Sequence, residues 1–463
     1  MVILNNLNNC VDHLNYYKLY TDNNIKLNGI IQNIIKTYNF VFNPKKYYRH
    51  EMNITALIMY ELSGITIMLN AILEKTLFAY CIKTCKKYAC EKMYCSNDEK
   101  TKYQFYTYHF NCLGDKFIIM FRRHFFSPVL IFYPKTNSVY NISYRHSNIS
   151  NEINIMKNSI NYNIAYYPKQ NYTSYIIGIN NNAGHYYWQE IHGLMLLLEY
   201  DLLDYIDEFI IYKYDYLNIA DILKNKYNKT IKYLTSNLGP HNLTTSIGKV
   251  YITNSSTSLF TKVYNLTNNI ENIKSNEINI LFDIRSNSRV WLNQIHIIVN
   301  IMNGIKNKFY NYSVNFYISG FYTYDKNIKS SIYNETNEIN TQNKIFNIIQ
   351  SKVKFHIFNL INEKLYTIIK ICQKVNLCIA NMGSGVSFYY ATVFNKPAIG
   401  FTCVKHSDEF NKNRHGFQNK INKILCLSPS YIKDIGDNFI LKPNILFNFT
   451  MNKINNIISQ KTL

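Results

Sequence analysis

The residue types that this chain uses sparingly are the first guide to its chemistry. Only two of its residues are Trp, and only seven of its 50 basic residues are Arg. Arg285, Arg289 and Trp291 nevertheless fall within seven residues of each other, in the segment 283-DIRSNSRVWLNQ-294. Two guanidinium groups at the end of a strand could stabilise a diphosphate as its charge develops, with Asn293 early in the following helix. The alternative is a structural arginine pair at a domain interface.

A glycine-rich turn is the second candidate site. The sequence 383-GSG-385 follows the apolar run NLCIAN and precedes VSFYYATVF, which we predict to be a helix. The backbone N–H groups of Gly383, Ser384 and Gly385 could approach an anion closely, and the positive end of a following helix favours phosphate. The turn matches neither the dinucleotide pattern G-x-G-x-x-G nor a P-loop. A glycine turn needed only for a tight strand–helix connection is an equal alternative.

Histidine and glutamate provide candidates for a catalytic base. In 184-GHYYWQEIHG-193, a helix beginning near His185 would place Gln189 and His192 on the same face. Because histidine titrates near neutral pH, we predict His185 as the base, with Glu190 as a second candidate. The histidine spacing lacks the H-E-x-x-H pattern of zinc sites, and we predict no bound metal. Ordinary capping or core histidines are the alternative.

A charged stretch after the apolar run PAIGFT is the fourth candidate. In 395-NKPAIGFTCVKHSDEF-410, Lys405 could contact a phosphate, and an acidic residue, which we predict to be Glu409, could hold ribose hydroxyls. A solvated surface loop is the alternative, and we favour it for Asp408.

Short apolar runs alternating with amphipathic stretches predict the elements that position these residues. Between residues 174 and 253 the runs are YIIGI, FIIYKY, IKYL and KVYIT. From residue 278 onward they are INILFDIR, NFYIS, FHIFN, NLCIAN and PAIGFT, separated by predicted helices at 291–307, 336–351, 361–375 and 386–394. This alternation is typical of a parallel sheet covered on both faces. We therefore predict an α/β fold with two Rossmann-like domains facing a cleft, at residues 166–275 and 276–463, and ligands beyond the carboxyl ends of the strands.

Residues 1–165 are predicted to form a region of mixed helix and strand. Aromatic and β-branched runs between 103 and 144 predict a meander of short strands, broken at Gly114, Pro128 and Pro134. The apolar segment 54–82 contains charged residues, so we predict a buried or interfacial helix rather than a membrane span. The spacing of four cysteines in this region predicts reduced thiols on one helical face rather than a zinc site: Cys81, Cys85, Cys90 and Cys95.

Composition and charge restrict the class of function. The 463 residues are 47% hydrophobic and 17% charged, which argues against a disordered chain. The formal net charge of +21 would suit a polyanion, but the lysines are scattered, so we predict that nucleic acid is not a partner. The N-terminal residues lack the pattern of a secretory signal, which predicts a cytoplasmic protein. Peripheral contact with the inner face of a membrane is a minor alternative.

The order of these features resembles a known family. The strand, small-residue loop, helix and NKPAIGFT turn resemble the C-terminal donor domain of GT-B glycosyltransferases. The G-H-x-x-W start of the first helix and the R-x-x-x-R-x-x-x-N pattern from Arg285 are similar to those of bacterial transferases of the family 61 or capsular-polysaccharide type. The resemblance covers about residues 174 to 445. The chain departs from the family's H-G-A-G loop, because it has NMGSG at 381–385.

The resemblance implies transfer of a sugar from a nucleotide-sugar donor to a glycan, polysaccharide or other acceptor, without a divalent metal or other cofactor. It assigns the donor phosphates to Arg285, Arg289 and the GSG turn, and the base to His185. Two alternatives remain: a non-catalytic nucleotide or sugar binder on the same fold, and a basic nucleic-acid-binding protein.

Overall fold

The structure is a computed structural model. The described residues are 2–3, 26, 28–30, 32, 68–81, 84, 86–98, 103–122, 127–141, 150–160, 167, 171–178, 186–212, 214–233, 244–245, 276–287, 289–321, 335–381, 396–405 and 424–462. They form two compact units: the first comprises Met1–Asp215 and Ala220–Ser255, and the second comprises Tyr216–Ile219 and Ser256–Leu463.

The first unit contains a seven-stranded sheet built from the aromatic runs of the N-terminal region. Its strands are β1 (Val2–Ile3), β2 (Phe78–Tyr80), β3 (Lys87–Asp98), β4 (Tyr103–Cys112), β5 (Asp115–Arg122), β6 (Ser127–Tyr133) and β7 (Ser138–Asn141). They are arranged in the order β1-β7-β6-β5-β4-β3-β2, and all neighbours are antiparallel except β1 and β7. Helix α1 (Ser150–Ser159) packs Ile153 and Met156 against Ile118 and Met120 of β5. One face of the sheet is thereby buried.

Two details of this sheet differ from the sequence prediction. Pro128 does not break a strand: it is the second residue of β6 and pairs with Phe121, where the register of β5 and β6 shifts. Proline is tolerated at such an irregularity because it lacks a backbone N–H. The predicted helical face of cysteines is wrong, since Cys90 and Cys95 lie in β3 and Cys81 follows β2. The aromatic pairs that β3 forms with β4, such as Tyr94 on His109, favour a strand here.

A four-stranded parallel sheet completes the first unit. Its strands are β8 (Ser174–Ile177), β9 (Glu208–Ile211), β10 (Thr230–Tyr233) and β11 (Thr244–Thr245). The order is β10-β9-β8-β11, and all neighbours are parallel. A π-helix (Tyr186–Ile191) leads directly into α2 (His192–Glu199), and α3 (Ile219–Tyr227) connects β9 to β10. The predicted strand KVYIT lies outside the described residues.

The second unit contains a six-stranded parallel sheet. Its elements are β12 (Glu277–Asp283), α4 (Gln294–Lys308), β13 (Ser313–Ser319), α5 (Glu335–Ser351), β14 (Phe358–Asn359), α6 (Leu365–Cys372), β15 (Leu377–Asn381), β16 (Ala398–Phe401) and β17 (Ile424–Cys426), followed by a hairpin, β18 (Ile432–Ile435) and β19 (Asn438–Leu441), and α7 (Pro443–Thr462). The sheet order is β14-β13-β12-β15-β16-β17. Counted along the chain this is 3-2-1-4-5-6, which is the order of doubly wound dinucleotide-binding sheets.

Close packing of α4 on α7 supports this sheet. A Cβ atom added at Gly304 would clash with the ring of Phe447, so a larger residue at this position would force that ring to move. The apolar faces of both helices belong to one core cluster with the strands, including Ile301 and Leu446. The apolar runs of the sequence therefore form strands because they are buried on both faces of the sheet.

A side-chain contact links the two sheet regions of the first unit. The antiparallel sheet and the four-stranded sheet fall in one unit, and the ammonium group of Lys75 forms an ion pair with Asp207 (2.7 Å) between the two regions. The boundary at residue 165 and the cleft between two Rossmann-like domains stay predictions. In the described part of the chain, no helix combines the length and the apolar character needed to span a bilayer.

Candidate functional site

The carboxyl ends of β12 and β15 lie side by side at the centre of the six-stranded sheet. Asp283, the last residue of β12, pairs with Ala380, and Asn381 ends β15. The chain leaves β12 toward β13 and leaves β15 toward β16, in opposite directions along the sheet. Such a switch in direction opens the crevice in which parallel sheets bind ligands. The arginine loop, residues 284–290, starts here, and the GSG turn starts two residues after Asn381.

Side-chain amides fix the backbone of the arginine loop. The Gln294 side chain binds both backbone polar groups of Arg285: its Oε1 accepts from the Arg285 N–H (3.3 Å) and its Nε2 donates to the Arg285 carbonyl (2.9 Å). Asn381 Nδ2 donates to the carbonyl of Arg289 (2.6 Å). Arg289 has a φ of +51°, in the left-handed region that costs L-residues about 1–2 kcal/mol. These bonds therefore hold a strained loop against the end of β15.

The β18–β19 hairpin braces the far end of the loop. Asn438 Oδ1 accepts from the N–H of Val290 (2.8 Å), and the N–H of Phe439 donates to the carbonyl of Val290 (3.0 Å). Asn293 Nδ2 donates to the carbonyl of Leu441 (2.8 Å), and the N–H of Leu441 donates to Asn293 Oδ1 (3.2 Å). Both ends of the Asn293 amide are thus engaged by backbone. Its predicted contact with a donor substrate would be additional to these bonds and stays a prediction.

Lys405 lies just beyond the carboxyl end of β16 in the same sheet. Its ammonium group forms an exposed ion pair with Asp437 (3.1 Å), and its backbone N–H donates to Asp434 Oδ2 (3.0 Å). The other oxygen of Asp434 accepts from the N–H of Val404 (2.8 Å). An exposed ion pair contributes only about 0.2–1 kcal/mol, so Asp437 would not prevent Lys405 from contacting a phosphate.

A buried carboxyl group, that of Asp283, lies at the end of β12 at the switch point. Asp283 is 4% exposed, and Ser319 Oγ donates to its Oδ1 (3.2 Å). Burial raises the pKa of Asp283 to about 7, against the opposing effects of the Arg285 charge and of the Ser319 hydrogen bond. Near neutral pH this group is consequently poised between its neutral and ionised forms. Sequence reasoning missed it, although an acidic residue at the end of an apolar run was a signal.

The lysine of the NKP turn has a structural contact that the sequence did not predict. The ammonium group of Lys396 donates to the carbonyls of Cys372 (3.3 Å), Gln373 and Val375 (3.0 Å), at the carboxyl end of α6. A cation at this end of a helix satisfies carbonyls that have no partner within the helix and complements its dipole. Lys396 therefore fixes α6 to the start of β16, which follows two residues later.

The carboxyl edge of the four-stranded sheet in the first unit contains one predicted catalytic residue. Glu190 lies on the π-helix, is 0% exposed, and accepts a hydrogen bond from the backbone N–H of Gly178, just after β8. Gly178 has a φ of +86°, and an added Cβ would lie 3.2 Å from the backbone nitrogen of Tyr214, so glycine is needed here. π-Helices are frequent at functional sites. Glu190 nevertheless acts here as a support for the backbone after β8.

The other predicted site residues lie outside the described residues: His185, Gly383, Ser384, Gly385 and Glu409. Of the predicted donor-binding residues, the structure brings Arg285, Arg289 and Asn293 together on one segment and places Lys405 at the same edge of the sheet. Within the described ranges, no group of three or more His, Cys, Asp or Glu side chains could hold a metal ion.

No model of a known protein family matches the chain, and a search of curated proteins gives no similar sequence.

Proposed function

We propose that the chain is a glycosyltransferase that moves a sugar from a nucleotide-sugar donor to a glycan or other acceptor. The observation that carries the proposal is the arginine loop, which is hydrogen-bonded through Arg289 to Asn381 at the switch point of a 3-2-1-4-5-6 sheet. Sheets of this order bind nucleotides at this point. The type of reaction, transfer of a sugar, is inferred from the resemblance of the sequence to GT-B glycosyltransferases.

The residues at this edge suit a diphosphate leaving group. Arg285 and Arg289 are on a loop whose backbone is fixed by Gln294 and Asn381. Little backbone entropy is therefore lost when an anion binds to this loop. Fixed cations aimed at developing negative charge stabilise a transition state. Lys405 would add a third positive charge. We propose that these side chains, together with the GSG turn, take the role that a divalent metal has in other transferases.

A ligand screen tests the donor site. Thermal shifts of the full chain are measured with UDP, GDP, CMP and dTDP sugars, and with short single-stranded DNA as a control. Stabilisation by one nucleotide class supports the proposal, because a ligand that binds only the native state raises stability. If DNA alone stabilises the protein, and does so less as salt rises, the chain is a nucleic-acid-binding protein instead.

Arg285→Ala is expected to weaken binding of the nucleotide sugar found in that screen by about 1.5–3 kcal/mol, the scale of a hydrogen bond to a charged group. Affinity is measured by calorimetry on the full chain. Lys433→Ala, which removes an exposed cation from β18 of the same unit, is the matched control and should leave affinity unchanged. Equal affinities of the native protein and Arg285→Ala would show that Arg285 does not bind the nucleotide sugar.

His185→Ala is expected to lower turnover by about 100-fold to 10,000-fold, the usual contribution of a general base, and to leave donor affinity intact. His185 is the preferred base because Glu190 already holds the backbone of Gly178. Turnover is followed as release of the free nucleotide. A protein that binds the donor but releases no nucleotide with any acceptor offered would be the non-catalytic binder.

A further inference from the structure

Several unsatisfied polar atoms of the second unit follow the carboxyl ends of its strands. In the part of the chain that the structure describes, seven buried side-chain nitrogen or oxygen atoms have no hydrogen-bond partner. Four of the seven follow or end β12, β15 and β16: Ser286 Oγ, Trp291 Nε1, Asn381 Oδ1 and Thr402 Oγ1. Native proteins leave few such atoms unpaired, and an unpaired group calls for an explanation such as a bound molecule.

Asn381 is the member of this set whose hydrogen-bonding role is fixed. Its side chain is 2% exposed, and its Nδ2 donates to the carbonyl of Arg289 (2.6 Å). A carbonyl can only accept, so the atom facing it must be the nitrogen, and the opposite atom is the oxygen. The backbone of Asn381 is held in β15 and pairs with Phe401 of β16. Asn381 Oδ1 is therefore a fixed acceptor that lacks a donor.

The missing partner must donate a hydrogen bond, which limits its chemistry. A phosphate group that has lost its protons offers only acceptors, so it cannot satisfy Asn381 Oδ1. A hydroxyl group can donate, so it could satisfy Asn381 Oδ1. Ribose and sugar hydroxyls stand close to the phosphates in a nucleotide sugar. Asn381 is likewise a direct neighbour of the arginine loop, through its hydrogen bond to the carbonyl of Arg289.

We propose that Asn381 is a specificity-determining residue, whose Oδ1 accepts a hydrogen bond from a hydroxyl group of the donor substrate. The proposal rests on the proposed nucleotide-sugar site and deepens it: the arginine loop faces the phosphates, and the end of β15 reads a hydroxyl. The hydroxyl belongs either to the ribose or to the transferred sugar, and these two sources give different results in the test.

The test compares Asn381→Leu with Asn438→Leu in the full chain. Both asparagines hold the arginine loop, Asn381 through the carbonyl of Arg289 and Asn438 through the N–H of Val290, but Asn438 Oδ1 already has its donor. Loosening of the loop should therefore affect both variants alike. Calorimetry measures the affinities for UDP and GDP, for their 2′-deoxy and 3′-deoxy forms, and for UDP-glucose and GDP-mannose.

A ribose contact predicts that the native protein and Asn438→Leu prefer a ribonucleotide over one of its deoxy forms by about threefold to tenfold, the worth of one hydrogen bond. Asn381→Leu should lose that preference. A sugar contact predicts instead that Asn381→Leu weakens binding of the nucleotide sugar more than binding of the free diphosphate, and that Asn438→Leu does not.

Two results would overturn the inference in distinguishable ways. If the native protein binds nucleotides but Asn381→Leu and Asn438→Leu keep the same preferences, the donor site stands and Asn381 Oδ1 faces a water molecule rather than a ligand. If the native protein binds none of these compounds, the proposed function fails together with the inference.

Discussion

Asp283→Asn is expected to remove a fall in the stability of the second unit as the pH rises from about 4 to about 7. Burial raises the pKa of Asp283 in the folded chain to about 7, compared with an ordinary value of 3.8. Between these values the folded chain keeps a proton that the unfolded chain has lost. Stability falls with pH wherever the native state binds more protons, so the native protein loses stability across this window and is level above it.

The expected size of this effect is large. The difference of about 3 between the two pKa values corresponds to on the order of 4 kcal/mol, since one pKa unit is about 1.4 kcal/mol. Asparagine keeps an oxygen that can accept from Ser319 Oγ and has no charge to bury. Asp283→Asn should therefore be more stable than the native protein at about pH 8 and nearly equal to it at about pH 4.

The measurement is urea unfolding of the full chain from about pH 4 to about pH 8. Trp188 lies in the first unit and Trp291 in the second, so Trp291 fluorescence in a Trp188→Phe background reports on the second unit alone. Asp437→Asn, which neutralises an exposed carboxylate of the same unit, is the control and should leave the pH profile almost unchanged. Parallel profiles for the native protein and Asp283→Asn would show that Asp283 is ionised in both the folded and the unfolded chain.

The strands of the second unit could be predicted from the sequence because strands that are buried on both faces consist of uninterrupted apolar runs. NLCIAN and PAIGFT contain β15 and β16, and INILFDIR contains all of β12 except its first residue, Glu277. At the sheet edge the pattern is weaker: of FHIFN only Phe358 and Asn359 form β14, and both are exposed. Helix α4 begins at Gln294 rather than at residue 291 because Trp291 pairs with Phe439 instead. Such long-range pairing leaves no local signal.

The supports of the candidate site could not be predicted for a related reason. The arginine pair stood out because arginine is rare in the chain, but the side chains that fix its loop are mostly asparagine, which is abundant and gives no contrast. Asn381 and Asn438 reach the loop across 92 and 148 residues of sequence. Neither spacing nor composition encodes such contacts, since they follow from the order of strands in the sheet.

Trp291→Ala is expected to lower the free energy of unfolding of the second unit by about 3–5 kcal/mol, the usual cost of truncating a buried large aromatic side chain. Trp291 is 2% exposed and packs edge-on against Phe401, with ring centroids 4.7 Å apart. Its backbone also pairs with Phe439. The indole thus joins the core of the sheet to the hairpin that braces the arginine loop.

Two further variants separate packing from hydrogen bonding at this position. Trp291→Phe should cost less than Trp291→Ala, because it keeps a ring against Phe401 and removes an indole N–H that has no partner among the described residues. An unpaired buried donor costs about 1–3 kcal/mol, which offsets part of the lost volume. Leu292→Ala changes an exposed neighbour and should stay within about 0.5 kcal/mol of the native protein.

Hydrogen exchange of the amides of β12 and β15, measured by mass spectrometry across a urea series, follows the second unit without relying on tryptophan fluorescence. The expected order of stability is native and Leu292→Ala together, then Trp291→Phe, then Trp291→Ala. Equal losses for Trp291→Phe and Trp291→Ala would contradict a role in packing and would mean that the indole N–H itself holds the site. Since the indole joins the sheet core to the hairpin that braces the arginine loop, the order of these variants decides whether apolar packing or the indole N–H stabilises this region.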